Sequence, residues 1–256
     1  AFVENDAPLL EFEQKAPDDI AQSIGRLIAD LIDNESTIQT GVGKIPNSVF
    51  PYLANKKDLG VHTETFTDGL IDLIESGVVT CRKKSLHPGK IVAAFCMGTR
   101  RLYDYVHNNP LFEFRPCQYV NDPYVIAQND RMVSINSALE VDLTGQVNAE
   151  AIGSDYIGAV GGQVDFVRAA GQSEGGASII ALGALGKKGD TKIVARLSGP
   201  VTTARSDVDV VATEYGAVRL QGKSLRQRIL AMISIAAPEH REALAQEAKT
   251  VWGEWI

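Results

Sequence analysis

The sequence lacks the patterns of a membrane protein, a nucleic-acid-binding protein and a metalloprotein. No apolar run approaches the ~18 consecutive residues that a membrane-spanning helix needs. With a net charge of −7 over 256 residues, the chain has no excess of basic residues for a phosphate backbone. Its few cysteines and histidines form no C-x-x-C pair and show no metal-ligand spacing. We therefore expect no membrane segment, no nucleic-acid partner and no metal site.

Cysteine is scarce, and its positions form no pairing pattern. Cys81, Cys96 and Cys117 are an odd number of thiols, which is typical of free cysteines in a reducing compartment. The first residues also lack the charged and apolar regions of a signal peptide. Together these observations predict a cytoplasmic location.

Common nucleotide-binding and nucleophile motifs are also missing. "GVGKIP" contains Lys44 but lacks the spacing of a P-loop, and no complete dinucleotide fingerprint occurs. No G-x-S-x-G is present, so a serine nucleophile on a sharp turn is not indicated. Cys96 lies inside the apolar stretch "AAFCMG", where a thiol is more often a small core residue than a nucleophile.

Apolar stretches that alternate with helical patterns are present instead. Apolar residues recur at helical spacing after Asp18: Ile20, Ile24, Leu27, Ile28, Leu31 and Ile32. Strands are predicted at "STIQT", up to Phe66, and over 90–98, 131–137, 177–185, 191–197 and 207–213. Further helices are predicted over 46–53, 68–75, 99–107 and 224–252, with a break at Pro238. This order predicts an open, mostly parallel α/β sheet flanked by helices.

Two local features modify this plan. "ALEVDLTGQVNAE" alternates with a period of two around a Thr-Gly turn, which predicts local antiparallel pairing. The opening "AFVENDAPLLEFEQKAP" is acidic, contains prolines and has no periodicity. We expect residues 1–17 to be a linker from a missing N-terminal domain or subunit, and residues 18–256 to form one domain.

Candidate functional groups are a few embedded carboxylates and several glycine-containing loops. In "LGVHTETFTDGLIDLIESG" (59–77), Glu64 is predicted to lie where a buried strand leads into a capped helix that begins at Asp68. Glu140 and Glu214 are also placed in apolar surroundings, and each of the three is either a structural hydrogen-bond acceptor or a catalyst. Glycines at 40–48, 160–166, 173–178 and 213–224 either present N–H groups to an anion or oxyanion or simply form turns.

Several stretches, in order along the chain, closely resemble the acetyl-CoA hydrolase/transferase family. They are "GVGKIPNSV", "LGVHTETFTDGLIDLIESG", "FRPCQYVNDPYVIAQ", "INSALEVDLTGQVNAE", "GAVGGQVDFVRAA", "SEGGASIIAL" and "DVDVVATEYGAVRLQGKSLRQR". The similarity runs from about Gln39 to Arg241 and points to the 4-hydroxybutyrate, butyrate and acetate CoA-transferases. It implies a CoA-transferase-like fold and identifies residues 18–256 as the family's C-terminal catalytic domain. It also implies that an N-terminal domain, which helps to bind CoA, is missing.

The resemblance implies a role for individual residues. The glutamate of the family's "HTE" motif is the nucleophile, and here that residue is Glu64. It attacks an acyl-CoA thioester and becomes a glutamyl-CoA thioester, with no base and no cofactor beyond the CoA of the substrate. The other implied site residues are Asn121 and Gly162 as oxyanion donors, Gly161 and Gln163 at the CoA, and Gly41 and Gly43 beside the acyl group. Glu214 is interpreted as structural, with a contact near the pantetheine as the alternative.

The resemblance therefore predicts a CoA-transferase with ping-pong kinetics. CoA moves between a short-chain acyl-CoA and a carboxylic acid such as 4-hydroxybutyrate or acetate. The expected partners are these two substrates, the missing N-terminal domain and further copies in a homo-oligomer. Two alternatives stay open, namely a thioester hydrolase on the same site and a non-catalytic CoA-binding module.

Overall fold

The computed structural model describes residues 4–253, and its centre is an extended β-sheet. The strands are β1 (Thr37–Thr40), β2 (Gly60–Phe66), β3 (Ile91–Cys96), β4 (Phe112–Phe114), β5 (Met132–Ser137), β6 (Glu140–Asp142), β7 (Val147–Asn148), β8 (Ala151–Ile152), β9 (Asp155–Tyr156), β10 (Ala177–Ala181), β11 (Ile193–Val194), β12 (Val210–Thr213) and β13 (Gly216–Arg219). Residues 1–3 of the predicted linker and 254–256 of the predicted domain lie outside the described residues.

The central sheet has eight strands in the order β13-β12-β10-β5-β1-β2-β3-β4. Every neighbouring pair is parallel except β12 with β13. The predicted mostly parallel α/β fold is therefore confirmed. Since parallel strands end at the same edge, the carboxyl ends of β1, β2, β5 and β10 meet along one side of the molecule.

Helices cover both faces of the sheet. They are α1 (Asp19–Asp30), α2 (Lys44–Ser48), α3 (Gly69–Glu75), α4 (Arg100–Val106), α5 (Cys117–Val120), α6 (Pro123–Ala127), α7 (Gln163–Gln172), α8 (Leu225–Ser234) and α9 (Arg241–Trp252), with short 3-10 turns at Phe50–Leu53 and Pro238–His240. One apolar cluster joins α1, α3 and α4 to the first face, and two others join α5 to α9 to the second. Both faces are therefore buried, as the continuous apolar strands predict.

The first helix shows how closely the apolar pattern matches the observed core. Ile24, Ile28 and Ile32 are completely buried against the sheet, and each such side chain contributes about 1.5–3 kcal/mol relative to an exposed one. Ile20 and Leu31 are 46% and 41% exposed. The predicted stripe is thus too wide, because its two edges face away from the sheet.

Several predicted elements are wrong in their boundaries. The strand expected over 177–185 ends at Ala181, and the one expected over 207–213 begins at Val210. The helix expected over 46–53 begins at Lys44 and gives way to a 3-10 turn at Phe50. Pro51 explains the break, because it has no N–H to donate and its ring clashes with the carbonyl four residues earlier. The strand expected over 191–197 is reduced to Ile193–Val194, which joins β6 and β7 in a small separate sheet.

The predicted antiparallel pairing in "ALEVDLTGQVNAE" is confirmed. β6 pairs antiparallel with β7, with Val141 opposite Val147. Gly145 in the turn has φ +96°, a conformation that glycine adopts far more readily than other residues.

The described start of the chain, residues 4–17, has no regular secondary structure but is hydrogen-bonded to the loop after β3 and to α4. The Phe12 N–H donates to the Gly98 carbonyl at 2.9 Å, and the Tyr103 hydroxyl donates to the Leu10 carbonyl at the same distance. Its origin as a linker from another domain stays a prediction.

None of the helices within residues 4–253 combines the length and the apolar character needed to cross a membrane.

Candidate active site

Glu64 lies within β2, two residues before the strand ends at Phe66. The sequence predicted that Glu64 lies at the junction between the strand and the helix, and this prediction is wrong by two residues, because the strand continues to Phe66. The register pairs Ile38 with Val61, so the end of β1 lies beside Thr63 and Glu64 is the first residue of β2 to pass beyond β1. The Glu64 side chain is consequently half-buried at this edge of the sheet, while Thr63 is completely buried.

The helix after β2 is not capped by the Asp68 side chain, contrary to the expectation. Asp68 precedes α3 without a side-chain cap, and its carboxylate instead accepts hydrogen bonds from the backbone N–H and hydroxyl of Thr99. Asp68 therefore ties the end of β2 to the loop that follows β3.

Glu64, Asn121 and Gly162 meet around one small space. A methyl group placed on Gly162 would lie 2.5 Å from Nδ2 of Asn121 and 2.7 Å from Oε2 of Glu64. Both distances are shorter than a non-bonded contact with carbon allows, so a side chain at this position would displace the ends of both side chains. The structure therefore brings together the three residues that the sequence assigned to the chemistry.

Two short helices fix the backbone of Asn121 beside this space. Asn121 directly follows the single turn of α5, and its N–H donates to the Cys117 carbonyl at 2.8 Å. The next residue, Asp122, accepts from the Tyr124 N–H and so caps α6. The Asn121 Oδ1 atom is buried and has no hydrogen-bond partner among the described residues. The side chain thus offers an N–H donor beside the Glu64 carboxylate.

Gly162 lies at the start of a helix, which places backbone N–H groups near this space. It directly precedes α7, and the first N–H groups of a helix have no partner inside the helix. The positive end of the helix dipole therefore also points toward the space beside Glu64. An amide side chain and a helix N-terminus that converge in this way can stabilise an oxygen atom that becomes negative during a reaction.

A second carboxylate lies close to Glu64. Asp165 is in the first turn of α7, and its burial together with the negative charge of Glu64 raises the pKa of Asp165 above its usual value. The two like charges disfavour each other. Sequence reasoning missed Asp165. The available signal was its spacing, because an acidic residue three positions after Gly162 lies in the first turn of the helix.

Gln163 is engaged at both ends of its amide by the protein. Its Nε2 donates to the Ser137 carbonyl at 2.9 Å, and its Oε1 accepts from the Thr203 hydroxyl at 3.0 Å. These bonds hold the start of α7 against the end of β5. The predicted CoA contact of Gln163 stays a prediction, and Gly161 is exposed with open space around it.

The glycines of the "GVG" loop lie next to this group without touching Glu64. A methyl group on Gly41 would be 2.9 Å from Oδ1 of Asn136, and one on Gly43 would be 4.0 Å from Oγ of Ser137. Asn136 itself is held in a reciprocal amide pair with Gln39. The loop is thus connected to Gln163 through the end of β5, at the same edge of the sheet.

The remaining sequence candidates have other surroundings. The Glu214 carboxylate accepts from the Ala184 N–H at 2.9 Å, which agrees with a structural role. Burial raises the pKa of the Cys96 thiol, so Cys96 is a poor nucleophile. The three cysteines are free. Within residues 4–253, no cluster of three or more His, Cys, Asp or Glu side chains could hold a metal ion.

Comparison with known proteins gives a consistent result. Residues 98–248 match the family profile described as the acetyl-CoA hydrolase/transferase C-terminal domain. Over 97% of its length the chain is 49% identical to a 4-hydroxybutyrate coenzyme A transferase of Clostridium kluyveri, of which it covers 58%. It is also 45% identical to a succinyl-CoA:acetate/propanoyl-CoA:succinate CoA transferase of Fasciola hepatica, with 94% of the chain and 52% of that protein covered.

Solved structures show the same similarity. RipA from Yersinia pestis superposes with a TM-score of 0.92 at 45% identity, over 96% of this chain and 56% of that one. A 4-hydroxybutyrate CoA-transferase from Porphyromonas gingivalis gives 0.86 at 44% identity, over 98% and 60%. The chain therefore spans little more than half the length of the relatives it matches.

Proposed function

Since the chain belongs to the acetyl-CoA hydrolase/transferase family, we propose that it carries the catalytic residues of a CoA-transferase acting on a short-chain acyl-CoA and a carboxylic acid. The observation that supports this most directly is the convergence of the Glu64 carboxylate and the Asn121 amide on Gly162. A carboxylate next to oxyanion donors is what acyl transfer through an acyl-enzyme requires.

The reaction begins at the thioester carbonyl carbon of the donor. An oxygen of Glu64 forms a bond to that carbon, and the carbon–sulfur bond breaks to release CoA thiolate and leave a mixed anhydride. The thiolate then attacks the Glu64 carbonyl carbon of the anhydride and expels the donor's carboxylate. The product is a glutamyl-CoA thioester at Glu64. An acceptor carboxylate reverses these steps and leaves as the new acyl-CoA, which gives ping-pong kinetics.

These steps need oxyanion stabilisation but no general base. Carboxylates and thiolates attack in their ionised form, so no proton has to be removed. Each addition produces a negatively charged oxygen, to which Nδ2–H of Asn121 and the backbone N–H of Gly162 donate hydrogen bonds in this scheme. The loss of one such donor typically raises the barrier by about 3 kcal/mol.

We expect Asn121→Ala to lower kcat by about 10²–10³-fold, because it removes a donor that acts mainly on the transition state. The KM for acyl-CoA should change much less than kcat. Steady-state kinetics of CoA transfer to acetate will measure both constants. A change confined to KM would instead assign Asn121 to ground-state binding.

The experiment that tests the proposal uses a protein in which this chain is joined to the remaining length found in its relatives. The protein is incubated with acyl-CoA, treated with borohydride and digested, and the peptide containing Glu64 is analysed by mass spectrometry. A thioester at Glu64 is reduced to an alcohol, which is the expected result. An unmodified Glu64 in a protein that still binds CoA would favour the binding-module alternative.

Product analysis separates the transferase from the hydrolase. With acetate present, a transferase converts the donor acyl-CoA to acetyl-CoA, whereas a hydrolase releases free CoA at the same rate with and without acetate. The two activities share Glu64, so the labelling experiment alone does not distinguish them.

A further inference from the structure

We propose that His62 is a positioning residue that holds Asn121 at the Glu64 carboxylate. This inference rests on the proposed function, because it assigns the Asn121 amide to the reaction. His62 lies two residues before Glu64 on β2 and is completely buried. Its Nε2 atom lies 2.8 Å from the Val120 carbonyl, in the peptide group that immediately precedes Asn121.

The need for such a contact follows from the small size of α5. The helix is a single turn, Cys117–Val120, and so short a helix has little stability of its own. The Val120 carbonyl is one of the last in the helix, and these carbonyls have no partner inside the helix. A donor from β2 satisfies this carbonyl and fixes the plane of the peptide that carries Asn121.

The chemistry of His62 suits a permanent donor. A carbonyl only accepts, so Nε2 carries the hydrogen, and Nδ1 faces the amide of Asn129 at 3.5 Å. Burial lowers the pKa of His62 to about 4. The ring therefore stays neutral, and its donor is retained, across the range in which carboxylate and thiolate chemistry operates.

His62 also contacts the element that carries the second oxyanion donor. Its ring packs edge-on against Phe166 of α7, with 6.2 Å between the ring centroids, and Phe166 lies one helical turn after Gly162. One side chain on β2 thus touches α5 and α7, which contribute Asn121 and Gly162. His62 thereby sets the distance of both donors from Glu64 on the same strand.

A second contact supports the same helix through Tyr119. The His87 Nε2 atom lies 2.6 Å from the Tyr119 hydroxyl, and its Nδ1 atom lies 3.2 Å from a Glu113 carboxylate oxygen. This contact anchors the Tyr119 side chain but not the peptide of Asn121. The His62 contact is therefore the one whose loss should act on Asn121 directly.

The test compares two variants that differ by one methylene group. In His62→Gln the side-chain amide nitrogen reaches about as far as Nε2, whereas in His62→Asn it stops short of the Val120 carbonyl. Both variants keep a buried polar amide, but only His62→Gln can satisfy the Val120 carbonyl, so His62→Asn is expected to be the less stable of the two. Ile28→Val, in the buried core of α1, controls for general loss of stability, and thermal unfolding is measured for every variant.

We expect His62→Asn to lower kcat by about tenfold or more, with little change in the KM for acyl-CoA, because a displaced donor acts on the transition state. His62→Gln should retain most of the activity, and Ile28→Val should retain all of it. When His62→Asn is added to Asn121→Ala, kcat should fall little further, because the effect of His62 on kcat passes through Asn121. Equal losses in the two His62 variants, or additive losses with Asn121→Ala, would overturn the inference.

Crystal structures of the two His62 variants provide a readout that is independent of activity. The Asn121 amide should move away from Gly162 in His62→Asn and stay in place in His62→Gln. An unmoved Asn121 in His62→Asn contradicts the positioning role even if the wild-type protein transfers no CoA. Failure of the proposed function is recognised separately, by an unmodified Glu64 in the wild-type labelling experiment.

Discussion

Replacement of Glu64 by aspartate is expected to reduce kcat for CoA transfer by at least about 10²-fold, because a misplacement of about 1 Å in a reacting group can have that effect. Aspartate keeps the charge but withdraws the carboxylate by one methylene group from Asn121 and Gly162. The shorter side chain would therefore hold the nucleophile farther from the proposed oxyanion donors. Steady-state kinetics with acyl-CoA and acetate measure the loss, and borohydride labelling shows whether the covalent intermediate still forms.

Two further variants make this result specific. Glu64→Gln keeps the length of the side chain but removes the nucleophile, so its labelling at residue 64 should be abolished. Glu75→Asp, in an exposed ion pair with Arg101 at the end of α3, shortens a glutamate outside the site and should retain normal activity, since surface ion pairs contribute only about 0–1 kcal/mol. Near-normal turnover by Glu64→Asp would remove Glu64 from the role of nucleophile.

The fold was predictable because its main signals are local. Short apolar runs such as "KIVAAFC" are buried on both faces in parallel sheets, and the helical patterns between them leave few other topologies. The errors occur where a single residue or a tertiary contact determines how a helix begins or ends. Pro51 breaks the helix expected over 46–53, and Asp68 gives its carboxylate to Thr99 rather than to its own helix.

The site was predictable in part only, because its residues come from distant parts of the chain. Sequence similarity identifies Glu64, Asn121 and Gly162 one by one, but the pattern of the chain does not show that Asn121 and Glu64 touch the same glycine. The positions of His62 and Asp165 at the site depend on where α5 and α7 are placed against β2. That placement is set by packing of Val120 and Phe166 into one apolar cluster, which no local pattern encodes.

Gly162→Ala is expected to lower kcat by about 10²-fold or more, comparable to the loss of an oxyanion donor. The backbone of Gly162 has φ −77°, which alanine adopts without strain, so the effect comes from the added methyl group alone. That group would lie 2.5 Å from Nδ2 of Asn121 and 2.7 Å from Oε2 of Glu64. Both side chains must therefore move, and the donor and the nucleophile are displaced together.

Gly171→Ala is the matched control for this substitution. Gly171 lies near the other end of α7, where an added methyl group meets nothing within 4 Å. Alanine there should stabilise the helix by about 0.5–1 kcal/mol and leave kcat unchanged. If Gly162→Ala lowers kcat while its melting temperature and its KM for acyl-CoA stay near those of the control, the space between Glu64 and Asn121 is where the reaction occurs. Normal turnover by Gly162→Ala would contradict the assignment, since the ends of both side chains have to shift to accommodate an alanine.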